Sequence, residues 1–333
     1  MRVATGKQRG LQALCDERGV IGALAIDQRD ALRKLFAKAT GLTAESIPAK
    51  TLSEFKEHVS KILTPYASAI LLDPEYGLPA AEKRDPRAGL LLAYEHTGYD
   101  RSIAGRLPRL LDGFTVARLK NEGADAVKVL LYYSPFSESS INTGKKSWVE
   151  RVGEECAAAD VPFFLELVSY HDEIDEKSAE FARVKPDIVT RSVQEFCNPR
   201  YAVDVLKVGL PVNIRFVESR HLTPGEAVFT RAEAREYCRR ASEAASLPFI
   251  YLSEGLSNEV FIDGLAIAAE AGSDFSGVLC GRATWQDGVE VFAQHGPARL
   301  QKWLEDEGVG NIRNINACLA AARPCMTRAS SNP

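Results

Sequence analysis

One alternation constrains this 333-residue chain more than any other feature. Short apolar, β-rich runs recur along almost its whole length, separated by segments whose apolar residues fall at helical spacing. The runs cover residues 20–26, 69–72, 89–94, 125–132, 162–168, 202–213, 249–252 and 275–280. Eight strands alternating with helices predict an α/β chain closed into a (β/α)8 TIM barrel. A doubly wound open sheet is the structural runner-up. It is disfavoured because no Gly-x-Gly-x-x-Gly follows the first run. No linker or shift of composition interrupts the pattern, so a single domain over 1–333 is expected. Its core spans about 20–318, with a short N-terminal extension before it and a frayed tail at 330–333 after it.

Helical period is read from Leu32, Leu35 and Phe36, with Gly41 as a stop. Thr51 with Glu54 resembles a capping box, opening a helix whose apolar face is Phe55, Val59 and Ile62. Further helices are expected over 110–123, 148–159, 180–196, 231–245 and 259–271, and one or two extra C-terminal helices over 298–322. Residues 134–147, rich in Ser, Asn and Gly, read as a long polar loop.

With 45% apolar residues there is ample material for a large core. A net charge of -4 gives no reason to expect nucleic acid or a membrane surface as a partner. The first ten residues lack the apolar centre of a signal peptide, and no apolar run is long enough to span a bilayer. The seven cysteines are odd in number, scattered and without a Cys-x-x-Cys pair, which suggests neither a disulfide framework nor a zinc site. A soluble cytoplasmic protein is the expectation.

Polar groups interrupt the apolar strands at few places. Asp27 and Gln28 end the first, while Lys128, Glu166 and Lys207 lie inside the fourth, fifth and sixth. Ser253, with Gly255 beyond it, ends the seventh strand, and Gly281 with Arg282 ends the eighth. In a parallel barrel such residues face one shared mouth. Mid-strand charges are costly unless they meet each other, and three successive strands allow that meeting. A buried, mostly neutral amine suits Schiff-base chemistry with a carbonyl. Lys128 beside Lys207 is expected to lower the pKa of one amine, and desolvation to raise that of Glu166 for proton transfer. Small residues and a guanidinium at the ends of strands seven and eight would cradle a phosphate. Each assignment also has a plainer reading. A buried lysine serves in a structural ion pair, Glu166 as no more than the partner of Lys128, and Asp27 as a helix cap.

The residues in these runs resemble a known family. Leu24-Ala-Ile-Asp-Gln-Arg29, Ile70-Leu-Leu-Asp-Pro-Glu-Tyr-Gly-Leu-Pro79 and Leu90-Leu-Leu-Ala-Tyr-Glu-His-Thr-Gly-Tyr-Asp100 look like the class I, lactose-operon type of tagatose 1,6-bisphosphate aldolase. Asp125-Ala-Val-Lys128, Pro162-Phe-Phe-Leu-Glu166, Val203-Asp-Val-Leu-Lys207 and Gly277-Val-Leu-Cys-Gly-Arg-Ala-Thr-Trp285 are similar to the same family. The resemblance implies a metal-independent lyase that cleaves tagatose 1,6-bisphosphate, and related ketohexose bisphosphates, to dihydroxyacetone phosphate and glyceraldehyde 3-phosphate. It implies that Lys207 forms the imine, that Glu166 is the general acid/base, and that Asp27 and Lys128 stand beside the imine. Gln28, Ser253, Gly255, Gly281 and Arg282 would hold substrate and phosphate. The expected partner is a small sugar phosphate, with homo-oligomers compatible with the chain.

Two residues depart from the family pattern: Gly209 where the family carries Glu, and Glu254 where it has a small residue. In a strand, i and i+2 share a face, so Gly209 removes a carboxylate near Lys207. A carboxylate at 254 repels phosphate if it points inward and is harmless if it points outward. These departures motivate an alternative, the same imine chemistry on a sulfonated or singly phosphorylated ketose. A sugar-phosphate-sensing regulatory barrel is the non-enzymatic alternative. A zinc-dependent aldolase would need several histidine ligands. His58, His96, His171, His221 and His295 form no His-x-His or His-x3–5-His pair, so no metal is expected.

Overall fold

Side chains along each run alternate in direction, and here both directions meet apolar neighbours, as a parallel sheet covered by helices requires. The computed structural model describes residues 5–100, 102–218 and 227–326; His221 and the tail at 330–333 lie outside the described residues. Its eight parallel strands close into a barrel in chain order. They are β1 (Ile21–Ala25), β2 (Ala69–Leu72), β3 (Gly89–Ala93), β4 (Ala126–Tyr133), β5 (Phe163–Ser169), β6 (Val205–Val208), β7 (Phe249–Tyr251) and β8 (Gly277–Cys280). Closure comes from β8 pairing back on β1, with Ile21 opposite Gly277 and Leu24 opposite Cys280. Ala25, Leu71, Ala93, Ala126, Phe164, Val205 and Ile250 fill the interior. The intervening residues, such as Leu24, Val127, Leu165 and Leu206, pack outward against the helices.

The N-terminal extension folds as the helix Gly6–Ala13, opened by a capping box between Thr5 and Gln8. Leu11 and Leu14 join the interior cluster with Cys325, and Lys7 pairs with Asp204 at 2.7 Å. These contacts tie the helix to one end of the barrel and leave the catalytically useful end to the loops that follow the strands.

Four expectations about helices are corrected. Residues 134–147 are not one long loop, because the helix Ser139–Ala158 takes in most of them and buries Asn142 and Lys145. Helical structure within 110–123 is confined to Val116–Asn121, capped by Thr115, because Leu110 instead bridges Glu95. The Thr51–Glu54 box is absent, since the helix Ala49–Leu63 has already begun after Pro48. C-terminal helical structure starts before 298. The helix Gly288–Trp303 breaks at Gly296 ahead of Pro297, then continues through a π-turn at Leu304–Gly308 into Val309–Cys318. The stop at Gly41 is as expected: it ends the helix Asp30–Thr40 with φ 72°.

Candidate active site

The period of two that builds the barrel interior also builds the site. Two residues beyond interior Ala25, Ala93, Ala126, Phe164 and Val205 come Asp27, Glu95, Lys128, Glu166 and Lys207. Five charged side chains thus form a layer directly above the apolar filling. All five are buried, Lys128 completely and Lys207 with 4% of its surface exposed. Register makes two of them direct neighbours, because Glu166 pairs with Lys207 across β5 and β6.

The charges meet as their burial demands. Lys128 Nζ lies 2.7 Å from Asp27 Oδ2, 2.7 Å from Glu95 Oε1 and 2.8 Å from Glu166 Oε2. Lys207 Nζ lies 2.9 Å from the same Glu166 oxygen. One carboxylate oxygen therefore bridges two ammonium groups. Asp27 is no helix cap, since the helix Asp30–Thr40 has no side-chain cap and Asp27 accepts from Lys128 instead.

Electrostatics rule out Lys128 as the depressed amine and correct the expectation for Glu166. Burial alone would depress the Lys128 ammonium, but Asp27, Glu166 and Glu95 outweigh it and hold its pKa well above the ordinary lysine value. Proximity of two lysines therefore does not make Lys128 a neutral amine. Glu166 is likewise not raised. Burial pushes it up, yet Lys128 and Lys207 together bring it below the usual carboxylate range. Asp27 follows the same logic, with burial overcome by the two lysines and its carboxyl held well below normal. Glu95 is the exception: burial raises it, and the pull of Lys128 and Arg29 does not cancel that. The layer thus holds two firmly charged carboxylates and one that protonates more easily, the separation that divides bases from acids at a site.

Above this layer opens a cavity of about 980 Å³. Asp27, Glu95 and Glu166 form part of its floor, and Gln28, Gly255 and Arg282 line it. The Gln28 Oε1 atom is buried, with no hydrogen-bond partner among the described residues. Ser253 and Gly281 do not line the cavity. Ser253 is buried beside Cys280, whose thiol burial raises to about 12 although the Ser253 hydroxyl pulls it down. Gly281 lies flat on Ala25, whose carbonyl carbon would be 3.3 Å from a Cβ there. Neither of the two readings of Glu254 holds as stated. It lines the cavity, but its carboxylate is paired with Lys185 at 2.6 Å and sits over Gly209.

Several contributors went unremarked as site residues in the sequence. Glu95 continues the inward parity of Leu91 and Ala93, a signal that could have found it. Arg29 is 4% exposed, pairs with Glu75 at 2.7 Å and donates to the Glu95 carbonyl at 2.8 Å. Its arginine nature and position after β1 gave no comparable pointer. His96 and Arg106, from the segment between β3 and the helix Val116–Asn121, also reach the cavity. Arg106 stacks on Tyr99, Tyr132 and Tyr170 with centroid distances of 5.1, 5.4 and 4.6 Å and pairs with Glu176, anchoring that segment over the mouth. Among the described residues, no group of three or more His, Cys, Asp or Glu side chains could hold a metal ion, and no helix is long and apolar enough to cross a membrane.

Known proteins are similar to this chain along almost its whole length. Tagatose 1,6-diphosphate aldolase 2 of Enterococcus faecalis is 52% identical over 322 residues, covering 96% of each chain. Tagatose 1,6-diphosphate aldolase of Streptococcus pneumoniae is 48% identical over 320 residues, covering 96% of this chain and 97% of the relative. In fold, the chain is similar to fructose-bisphosphate aldolase from Plasmodium falciparum, with a TM-score of 0.68 at 15% identity over 94% of this chain and 92% of that one. A Schiff-base-forming fructose-1,6-bisphosphate aldolase matches with a TM-score of 0.56 at 14% identity, over 92% and 97% of the two chains. The model of the DeoC/LacD family aldolases matches residues 21–287, spanning every strand of the barrel, and the chain belongs to that family.

Proposed function

We propose that this chain is a class I aldolase that cleaves tagatose 1,6-bisphosphate, and other ketohexose 1,6-bisphosphates, to dihydroxyacetone phosphate and glyceraldehyde 3-phosphate. It acts as one barrel domain in the cytoplasm and needs no metal. The observation that carries the reading is the buried Lys207–Glu166 pair at 2.9 Å, set beneath a cavity large enough for a sugar bisphosphate. The names of the relatives at 52% and 48% identity support the substrate.

In this reading Glu166 takes a proton from the Lys207 ammonium, and the neutral amine attacks the C2 carbonyl. The resulting carbinolamine loses its hydroxyl as water, with a proton supplied by the carboxyl side, leaving a protonated imine. A carboxylate then removes the C4 hydroxyl proton. The C3–C4 bond breaks as the C4 aldehyde forms, and its electron pair moves into the imine to give an enamine. Glyceraldehyde 3-phosphate departs. Protonation at C3 and hydrolysis return dihydroxyacetone phosphate and the free lysine. Glu166 is suited to the base steps because its neighbours keep it charged. Asp27 and Lys128 fix the charge beside the imine. Gln28, Gly255 and Arg282 meet the substrate, and Ser253 and Gly281 shape the strand ends behind them.

The test is chemical. Dihydroxyacetone phosphate with borohydride should label the protein at Lys207, and turnover should survive EDTA. Labelling elsewhere, or none, would overturn the reading.

A further inference from the structure

We propose that Glu254 is a specificity-determining residue: parked over Gly209 and tied to Lys185, it neutralises the β6–β7 side of the mouth and leaves Arg282 to take the anionic end of the ligand. This deepens the aldolase reading above and rests on it.

The seat begins in the backbone. Glu254 has φ 50°, a left-handed conformation that an L residue adopts only at a cost. Its carboxylate lies over β6, where a Cβ built on Gly209 would stand 2.7 Å from Glu254 Cδ. The backbone of Gly209 is not left-handed, so conformation does not demand glycine there. Space does. The atoms in the way belong to the far end of a flexible side chain, so a methyl at 209 would evict the carboxylate rather than break the barrel.

Lys185 supplies the hold. It comes from the helix Ala179–Phe196, its side chain is 5% exposed, and its Nζ lies 2.6 Å from Glu254 Oε2. A buried ammonium strongly favours keeping its carboxylate. The neighbouring residue is in close contact with the other cation, for a Cβ on Gly255 would be 2.8 Å from Arg282 Cζ. Lys185, Glu254, Gly255 and Arg282 line the same cavity. Among the described residues Arg282 has no carboxylate within ion-pair distance, whereas Lys185 has one. Of two cations on adjoining walls, one is satisfied by the protein and the other is open to a ligand. Release of Glu254 would reverse this, with a freed carboxylate competing for Arg282.

The experiment compares the intact wild-type chain with Gly209→Ala, Glu254→Ala and the double variant. Inorganic phosphate binding is measured by calorimetry, and KM and kcat are measured with tagatose 1,6-bisphosphate. Gly209→Ala should weaken phosphate binding and raise KM by roughly tenfold, with kcat changing less. Glu254→Ala should tighten phosphate binding by exposing Lys185. Adding Glu254→Ala to Gly209→Ala should remove the penalty. A penalty of equal size with and without Glu254, or phosphate affinity unchanged by Glu254→Ala, would overturn the proposal. Phosphate affinity is read without turnover, so it decides the matter separately from trapping at Lys207. Glu254→Ala also reports if Gly209→Ala fails to fold.

Discussion

Glu166 stands opposite Lys207 across β5 and β6, and the carboxylate oxygen that reaches Lys207 at 2.9 Å also touches Lys128 at 2.8 Å. That shared oxygen joins the two functions asked of the site. It keeps Glu166 charged, and it gives the Lys207 proton somewhere to go.

Glu166→Gln keeps the shape and removes the base. The expected outcome is a fall in kcat of about 10²–10⁴, the range ordinarily associated with a positioned general acid/base. Borohydride trapping at Lys207 should persist at a slower rate, because the lysine remains. Steady-state kinetics with tagatose 1,6-bisphosphate and timed trapping check this. A kcat within a few-fold of wild type would reduce Glu166 to a structural partner of Lys128.

Lys128→Met strips the cation that three buried carboxylates share. Loss of one partner from a buried ion pair costs about 3–5 kcal/mol, and a loss of that order is expected in urea unfolding. Glu95→Gln on top of Lys128→Met should restore part of it, since Glu95 gives up its charge most easily. Strict additivity of the two changes would mean that the groups do not interact in the folded chain.

The site is legible in the sequence because Lys128, Glu166 and Lys207 interrupt three successive apolar strands, where buried charges are costly unless they meet. What that argument cannot give is the balance of charge inside the layer. The count of two lysines suggested a depressed amine, but Asp27, Glu166 and Glu95 together hold Lys128 above the ordinary lysine value. The first turns of the helix Ser139–Ala158 read as loop because they are polar, and their helical state rests on burial of Asn142 and Lys145 rather than on an apolar stripe. The contact between Gly209 and Glu254 was out of reach for a related reason. It depends on a left-handed backbone at Glu254, which no residue type announces.

Lys145 offers a test of pH dependence remote from the imine. Its Nζ is fully buried, donates to the Tyr170 hydroxyl at 2.8 Å and lies 4.5 Å from that ring. Burial pushes its pKa down to about 7 from an ordinary 10.5, with Asp172 pulling the other way and Arg106 adding to the fall. The unfolded chain therefore holds a proton on Lys145 between these two values while the folded chain does not. Stability rises with pH wherever the unfolded state binds more protons, so this residue makes the fold more stable as pH climbs from about 7 toward 10.5. Below about 7 both states are protonated, and its slope vanishes. Unfolding free energy measured across that window should rise less steeply in Lys145→Met than in wild type. The variant should also gain most at the acid end, where the wild-type ammonium is buried without a carboxylate at ion-pair distance among the described residues. Parallel curves for the two proteins would show that Lys145 keeps its proton in the folded state, and would remove burial as the dominant influence on its charge.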